Sequence, residues 1–154
     1  MEGKMTYKEC ATDEDFATIF PVISQLRPSI PDVETLQKLV RAARESGGYK
    51  LMAVRTTEEE VSQPVAAVGY RFLDDITSGH FLYIDDLVVD QSHRRKQYGE
   101  EIMRQMYAIA RNSDPPCVGV KLLSGHARVD AQRFYRRIGM TDAGLFFVQK
   151  IQDS

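Results

Sequence analysis

Apolar positions along this chain recur with two different periods, and the switches between them divide it into elements. Weak alternation over residues 4–10 predicts a first strand, and the polar, acidic run Thr12, Asp13, Glu14, Asp15 that follows has the composition of a helix start. Phe16, Ile19, Phe20 and Ile23 then recur at helical spacing, with Pro21 expected to end or kink that helix. Pro28 and Pro31 mark a break before Asp32, which is placed to cap a second helix with the apolar stripe Leu36, Leu39, Val40 and Ala43. Gly47 and Gly48 stop it.

Strands are predicted over residues 49–55 and 65–73, joined across 56–63, whose acidity and trailing Pro64 indicate an exposed connection. A turn at 74–79 leads into a long strand, 80–90, and then a helix over 99–111 turns Ile102, Met106, Ile109 and Ala110 inward. After Pro115 and Pro116 come a strand at 118–123, a helix at 127–138 and a final apolar strand at 145–151. Hairpins early and alternation late imply a mixed sheet covered by helices. No repeat, low-complexity stretch or linker divides the 154 residues, so a single domain over residues 1–154 is expected, long enough for one substantial core.

Composition narrows the function classes. No apolar run approaches the ~20 residues that cross a bilayer, and the N-terminus lacks a basic region followed by an apolar one. A soluble, cytoplasmic protein with no membrane partner is expected. Cys10 and Cys117, in apparent strands and far apart in sequence, suggest neither a disulfide framework nor a zinc site, so they read as small buried hydrophobes and no metal is expected. A formal net charge of −2 and pI near 5.9 argue against a nucleic-acid partner, which needs a broad basic face. The cations are instead local: Arg94, Arg95 and Lys96 in one turn, with Arg133, Arg136 and Arg137 on the last helix.

The strand 80–90, that basic turn and the following helix together suit a phosphate. A helix start offers unpaired N–H groups and the equivalent of about half a positive charge, which stabilise a pyrophosphate together. The same run, Val89-Asp90 followed by Arg94-Arg95-Lys96-Gln97-Tyr98-Gly99, resembles the acetyl-CoA pyrophosphate loop of the GNAT superfamily of N-acetyltransferases, which usually reads Q/R-x-x-G-x-G/A. Arg94 fills the first position and Gly99 the last, while Gln97 stands where the first glycine is expected. A second block, Ala131 to Met140 with Phe134, Tyr135 and Gly139, is similar to that family's late A-x-x-F-Y-x-x-x-G-F/M helix. Taken singly, the blocks also read as a charged surface turn and as core aromatics on a helix.

The resemblance implies a GNAT-like α/β fold, a central mixed and mostly antiparallel sheet of six to seven strands flanked by about four helices. It also implies acetyl-CoA as cosubstrate, with the main chain of Arg94, Arg95, Lys96, Gln97, Tyr98 and Gly99 at the pyrophosphate. Leu87, Val88 and Val89 would pair with the pantetheine arm, and an N–H of that strand would polarise the acetyl carbonyl. Tyr135 falls on the family's helix tyrosine, which can protonate the leaving thiolate, and its alternative is a phenol that caps a core contact. The acceptor would be an amine of a small molecule or peptide, and a homodimer is among the assemblies the resemblance admits.

A lysine-like amine is neutral in only about one molecule in 2,500 at pH 7, a cost of about 4.6 kcal/mol, so a base or water relay is expected. Asp85 and Asp86 are the candidates, and strand alternation would let only one face the cleft. Asp86 is taken as the base because its place before Leu87-Val88-Val89 resembles where many relatives carry an acid. The alternative is that both aspartates cap loops or pair with arginines. His126 offers a second relay or a substrate contact, its alternative being a structural histidine at a helix start, and Arg128 stands where the family commonly has asparagine. Asp74 and Asp75, with Asp85 and Asp86, favour a cationic acceptor, although Asp74 and Asp75 equally suit a turn. Polyamine, aminoglycoside, amino acid and protein lysine all stay open. Besides an N-acetyltransferase working by direct attack in a ternary complex, a catalytically weak acyl-CoA-binding sensor of the same fold fits the residues.

Overall fold

The computed structural model describes residues 5–57 and 62–151, and the chain divides into two units, Met1–Leu122 and Leu123–Ser154. The first holds strands β1 (Thr6–Glu9), β2 (Lys50–Arg55), β3 (Ala66–Asp75), β4 (Gly79–Val89) and β5 (Val120–Leu122), with helices α1 (Asp13–Leu26), α2 (Val33–Gly47) and α3 (Tyr98–Asn112). A single 3-10 turn, Gln91–His93, precedes α3. The second unit carries helix α4 (Val129–Arg137).

One sheet runs in the order β1-β2-β3-β4-β5. Its first four strands pair antiparallel and β5 lies parallel to β4, the mixed, mostly antiparallel arrangement expected from the sequence. Five strands are present among the described residues rather than six or seven. The missing one is the expected strand at 145–151, where Leu145, Phe146, Phe147, Val148 and Ile151 are exposed and no strand forms. Part of the connection 56–63 and the start of the first predicted strand fall outside the described residues.

Helix α1 begins with reciprocal caps. The Thr12 hydroxyl accepts from the Asp15 N–H at 3.1 Å, and Asp15 Oδ2 accepts from the N–H groups of Thr12 and Ala11 at 3.0 Å each. Pro21 does not end this helix, contrary to expectation; α1 continues through it to Leu26. The energetics decide it. A proline in a helix interior costs about 3 kcal/mol. Val22 and Ile23, both buried, each contribute roughly 1.5–3 kcal/mol by staying in the core with Phe16 and Ile19. Helix α2 starts at Asp32, whose carboxylate accepts from the Thr35 N–H at 2.7 Å, and ends at Gly48 in the left-handed region at φ 69°.

Phe16, Ile19, Val22 and Ile23 of α1 and Leu36 and Val40 of α2 pack with Tyr49, just before β2, and with Leu51, Ala53, Ala67 and Val88 of the sheet. Ile102, Met103, Met106 and Ala110 are the buried stripe of α3, while Ile109 is only partly buried. Cys10, just past β1, is fully buried, whereas Cys117 is partly exposed and lies outside any strand. In the second unit, Gln132 Nε2 donates to the Gly125 carbonyl at 2.7 Å and Gly139 follows α4 at φ 102°. On helix α4, Phe134 and Tyr135 are each partly buried. Among the described residues no helix is long and apolar enough to cross a membrane.

Burial alone would push the Asp15 carboxyl up, but the amides of Ala11 and Thr12, the Lys8 ammonium at 3.3 Å and the Thr12 hydroxyl outweigh it and hold it at about 2. A carboxyl held below its ordinary value stabilises the fold above that value and loses the contribution as pH falls towards the lowered one. Asp15→Asn should therefore be less stable than wild type at neutral pH, and the gap should close as pH falls from 3.8 to about 2. Urea denaturation across that range checks it.

Candidate active site

β3 and β4 pair in register from Ala66 opposite Val89 to Gly69 opposite Asp86, and again from Tyr70 opposite Ile84 onwards. Asp85 is thereby one residue too many on β4, a β-bulge. The bulge breaks the alternation that would have sent the two aspartates to opposite faces, and both line one cleft of about 170 Å³ between the sheet, α1 and α2. The expectation that only one of them faces the cleft is corrected on that ground.

Each carboxylate is held. Arg71 grips Asp85 with two parallel hydrogen bonds, Nε to Oδ1 at 3.0 Å and Nη2 to Oδ2 at 2.9 Å. Arg27 Nε donates to Asp86 Oδ1 at 2.9 Å while its Nη2 donates to the Asp85 carbonyl at 3.0 Å. The Tyr49 hydroxyl donates to Asp86 Oδ2 at 2.6 Å, and the Arg71 guanidinium lies over the Tyr49 ring, 5.3 Å from its centroid. Burial first, then the Asp86 carboxylate beside it, keeps the Tyr49 phenol well above its ordinary value, so it stays a donor. Burial also raises the Asp85 carboxyl, with Arg71 opposing. The arginine pairing considered from sequence is thus real for both aspartates, and it occurs inside the cleft.

Tyr49 reaches Asp86 because position 69 has no side chain. A Cβ there would stand 1.9 Å from the Tyr49 hydroxyl and 2.5 Å from its ring carbon Cζ. Sequence reasoning passed over Tyr49, Arg71, Arg27 and Gly69. Two signals were there to be used: a glycine inside a strand, which marks a bulge or a close approach, and a lone arginine in an apolar strand run.

The turn between β4 and α3 is tied down at Asp90. Its Oδ1 accepts from Gln25 Nε2 at 2.7 Å, its Oδ2 accepts from the Ser92 N–H at 3.1 Å, and Gln25 Oε1 in turn accepts from the Gln91 N–H at 2.9 Å. Beyond it Arg94, Arg95, Lys96 and Gln97 are exposed, and Arg95 and Gln97 hold φ at 68° and 63°. That is the left-handed region, so position 97 has the backbone a glycine would favour, reached here by glutamine. Gln97 is the N-cap of α3 without a side-chain capping bond, and Tyr98 and Gly99 open the helix.

β5 ends with Leu122 opposite Ile84. Over residues 86–89, which include Leu87, Val88 and Val89, β4 therefore pairs with β3 on one side and with no described strand on the other. Asp86, this open edge and the basic turn are contiguous along the chain. Tyr135 lies on α4 in the second unit, with its ring 5.4 Å from that of Phe134. Burial raises its phenol, and Arg128 partly opposes that. His126 is exposed in the turn before α4.

Two substitutions test this geometry. Gly69→Ala should destabilise by roughly 1–3 kcal/mol, and by less in a Tyr49→Phe background, where the nearest clashing atom is gone. A double-mutant cycle by urea denaturation reads the difference. Gln97→Gly should raise stability by up to about 1 kcal/mol by relieving left-handed strain.

Comparison with known proteins bears on this arrangement. Residues 42–140 match the model of the acetyltransferase (GNAT) family. The chain is 31% identical over 142 residues to the uncharacterized N-acetyltransferase YhdJ of Bacillus subtilis (strain 168), covering 91% of this chain and 94% of that one. Its fold is similar to that of aminoglycoside N-acetyltransferase AAC(6')-Iy in complex with CoA, at TM-score 0.75 and 11% identity over 97% of this chain and 96% of that one. It is likewise similar to a possible acetyltransferase from Clostridium difficile 630, at TM-score 0.72 and 22% identity over 96% and 99%. An acetyltransferase fold carrying a basic strand-to-helix turn, matched by family and by relative, leaves one conclusion: the chain belongs to the GNAT acetyltransferase family and is an acyltransferase.

Proposed function

We propose that the protein moves an acetyl group from acetyl-CoA to a primary amine of a small molecule or peptide, by direct attack in a ternary complex. The observation that carries this reading is the run of open β4 edge and left-handed basic turn, with the carboxylate pair at its head. The pyrophosphate would rest on the N–H groups of residues 94–99, aided by the α3 dipole and the cations of Arg94, Arg95 and Lys96. Within Leu87, Val88 and Val89, the main-chain groups that face away from β3 would pair with the pantetheine arm, and one N–H of that stretch would face the thioester oxygen.

Asp86 is assigned to the acceptor. Two of its carboxylate lone-pair sites are taken by Tyr49 and Arg27, which leaves room for an ammonium or a relaying water. Loss of a proton to that group frees the nitrogen lone pair to attack the carbonyl carbon; the C–S bond then breaks and the thiolate takes a proton. Tyr135 is assigned to that last step, and a phenol raised by burial is still protonated at neutral pH. Neither cysteine is needed for a covalent intermediate.

One observation favours a second reading, a weakly catalytic acyl-CoA sensor: both carboxylates already have arginine partners. Thiol release from acetyl-CoA against a pooled amine library separates the two. The enzyme reading expects turnover, with kcat/KM falling on the order of 10²-fold or more in Asp86→Asn and kcat falling in Tyr135→Phe at unchanged acetyl-CoA affinity. Acetyl-CoA binding without thiol release from any amine would support the sensor instead.

A further inference from the structure

We infer that the acceptor carries a single amine on an apolar body, such as a branched or aromatic alkylamine, and is not a polycation. This rests on the cleft being the acceptor site, as proposed above.

Charge is the first argument. Asp85 is neutralised by a two-bond grip from Arg71 and Asp86 by an ion pair with Arg27, so two carboxylates face two guanidiniums. A polyamine or an aminoglycoside entering here would leave water with several ammonium groups, and the described lining has no surplus carboxylate to receive them. A single ammonium needs only the lone pairs that Asp86 has left.

The wall is the second argument. Apart from Tyr49, the two arginines and the two aspartates, the lining is entirely aliphatic. Leu39 is its exposed member: it sits on the apolar stripe of α2 with Leu36, Val40 and Ala43, yet is 52% exposed at the cleft. A ligand with a hydrocarbon body would cover it and gain the transfer energy that water denies it. The volume, about 170 Å³ against the roughly 300–1,000 Å³ typical of sites for drug-sized ligands, suits a small ligand.

The test uses phenethylamine and spermidine as probes, each titrated by calorimetry into the full chain with and without CoA, and each assayed for thiol release from acetyl-CoA. Phenethylamine should bind at least about tenfold more tightly than spermidine, and Leu39→Ser should weaken it several-fold while leaving spermidine unchanged. Equal or tighter spermidine binding, absence of phenethylamine binding at millimolar concentration, or indifference to Leu39→Ser would overturn the inference. The thiol-release arm reports separately. Phenethylamine bound in the cleft without turnover of any amine would sink the acetyl-transfer reading and leave the ligand class standing.

Discussion

The absence of a side chain at position 69 sets the geometry of the cleft. Tyr49 lies so close over Gly69 that a methyl group there would meet its hydroxyl at 1.9 Å, and from that position the phenol donates to Asp86 at 2.6 Å. The opposite strand answers with a bulge. With Asp85 inserted, the run of β4 after it is turned over relative to the run before, so Asp86 comes to face α1 and α2 directly across from Gly69. Arg71 and Arg27 then close on the two carboxylates, whose exposure to water is limited and whose charges would otherwise be costly. Glycine, bulge, tyrosine and arginines thus form one device that holds two acids side by side.

From there the chain runs without interruption into the features that suit a phosphorylated cosubstrate. β5 stops opposite Ile84, so that beyond it β4 has no described strand on that side, and Asp90 fastens the next turn to the end of α1 through Gln25. The turn is held at one end and carries left-handed residues at 95 and 97. Its side chains stay exposed, which fits recognition mostly by the main chain and a general positive field. Glutamine at 97 shows that the backbone conformation, rather than the glycine, is what the fold enforces there.

How much of this the sequence disclosed follows from how local each signal was. The caps at Thr12 and Asp32, the stop at Gly48 and the strand-turn-helix around residues 80–111 are written in near neighbours, and they were legible. Pro21 misled because a local helix breaker was outweighed by burial of residues on both of its flanks, a tertiary effect. The expected strand at 145–151 is the opposite case: its apolar pattern is strong, yet no strand forms over those residues. In the candidate site, Asp86, Leu87, Val88, Val89 and the turn are proposed from a motif contiguous in sequence. Tyr49, Gly69, Arg71 and Arg27 were missed because their meeting depends on register across strands and on one inserted residue, which no periodicity reveals.

The central claim is that the open β4 edge and the left-handed turn hold acetyl-CoA. Amide hydrogen exchange of the protein with and without CoA addresses it directly, residue by residue. Added protection is expected at amides within 87–89 and 94–99, with little change in β1 and β2. Binding that protects other segments and leaves these amides unchanged would contradict it.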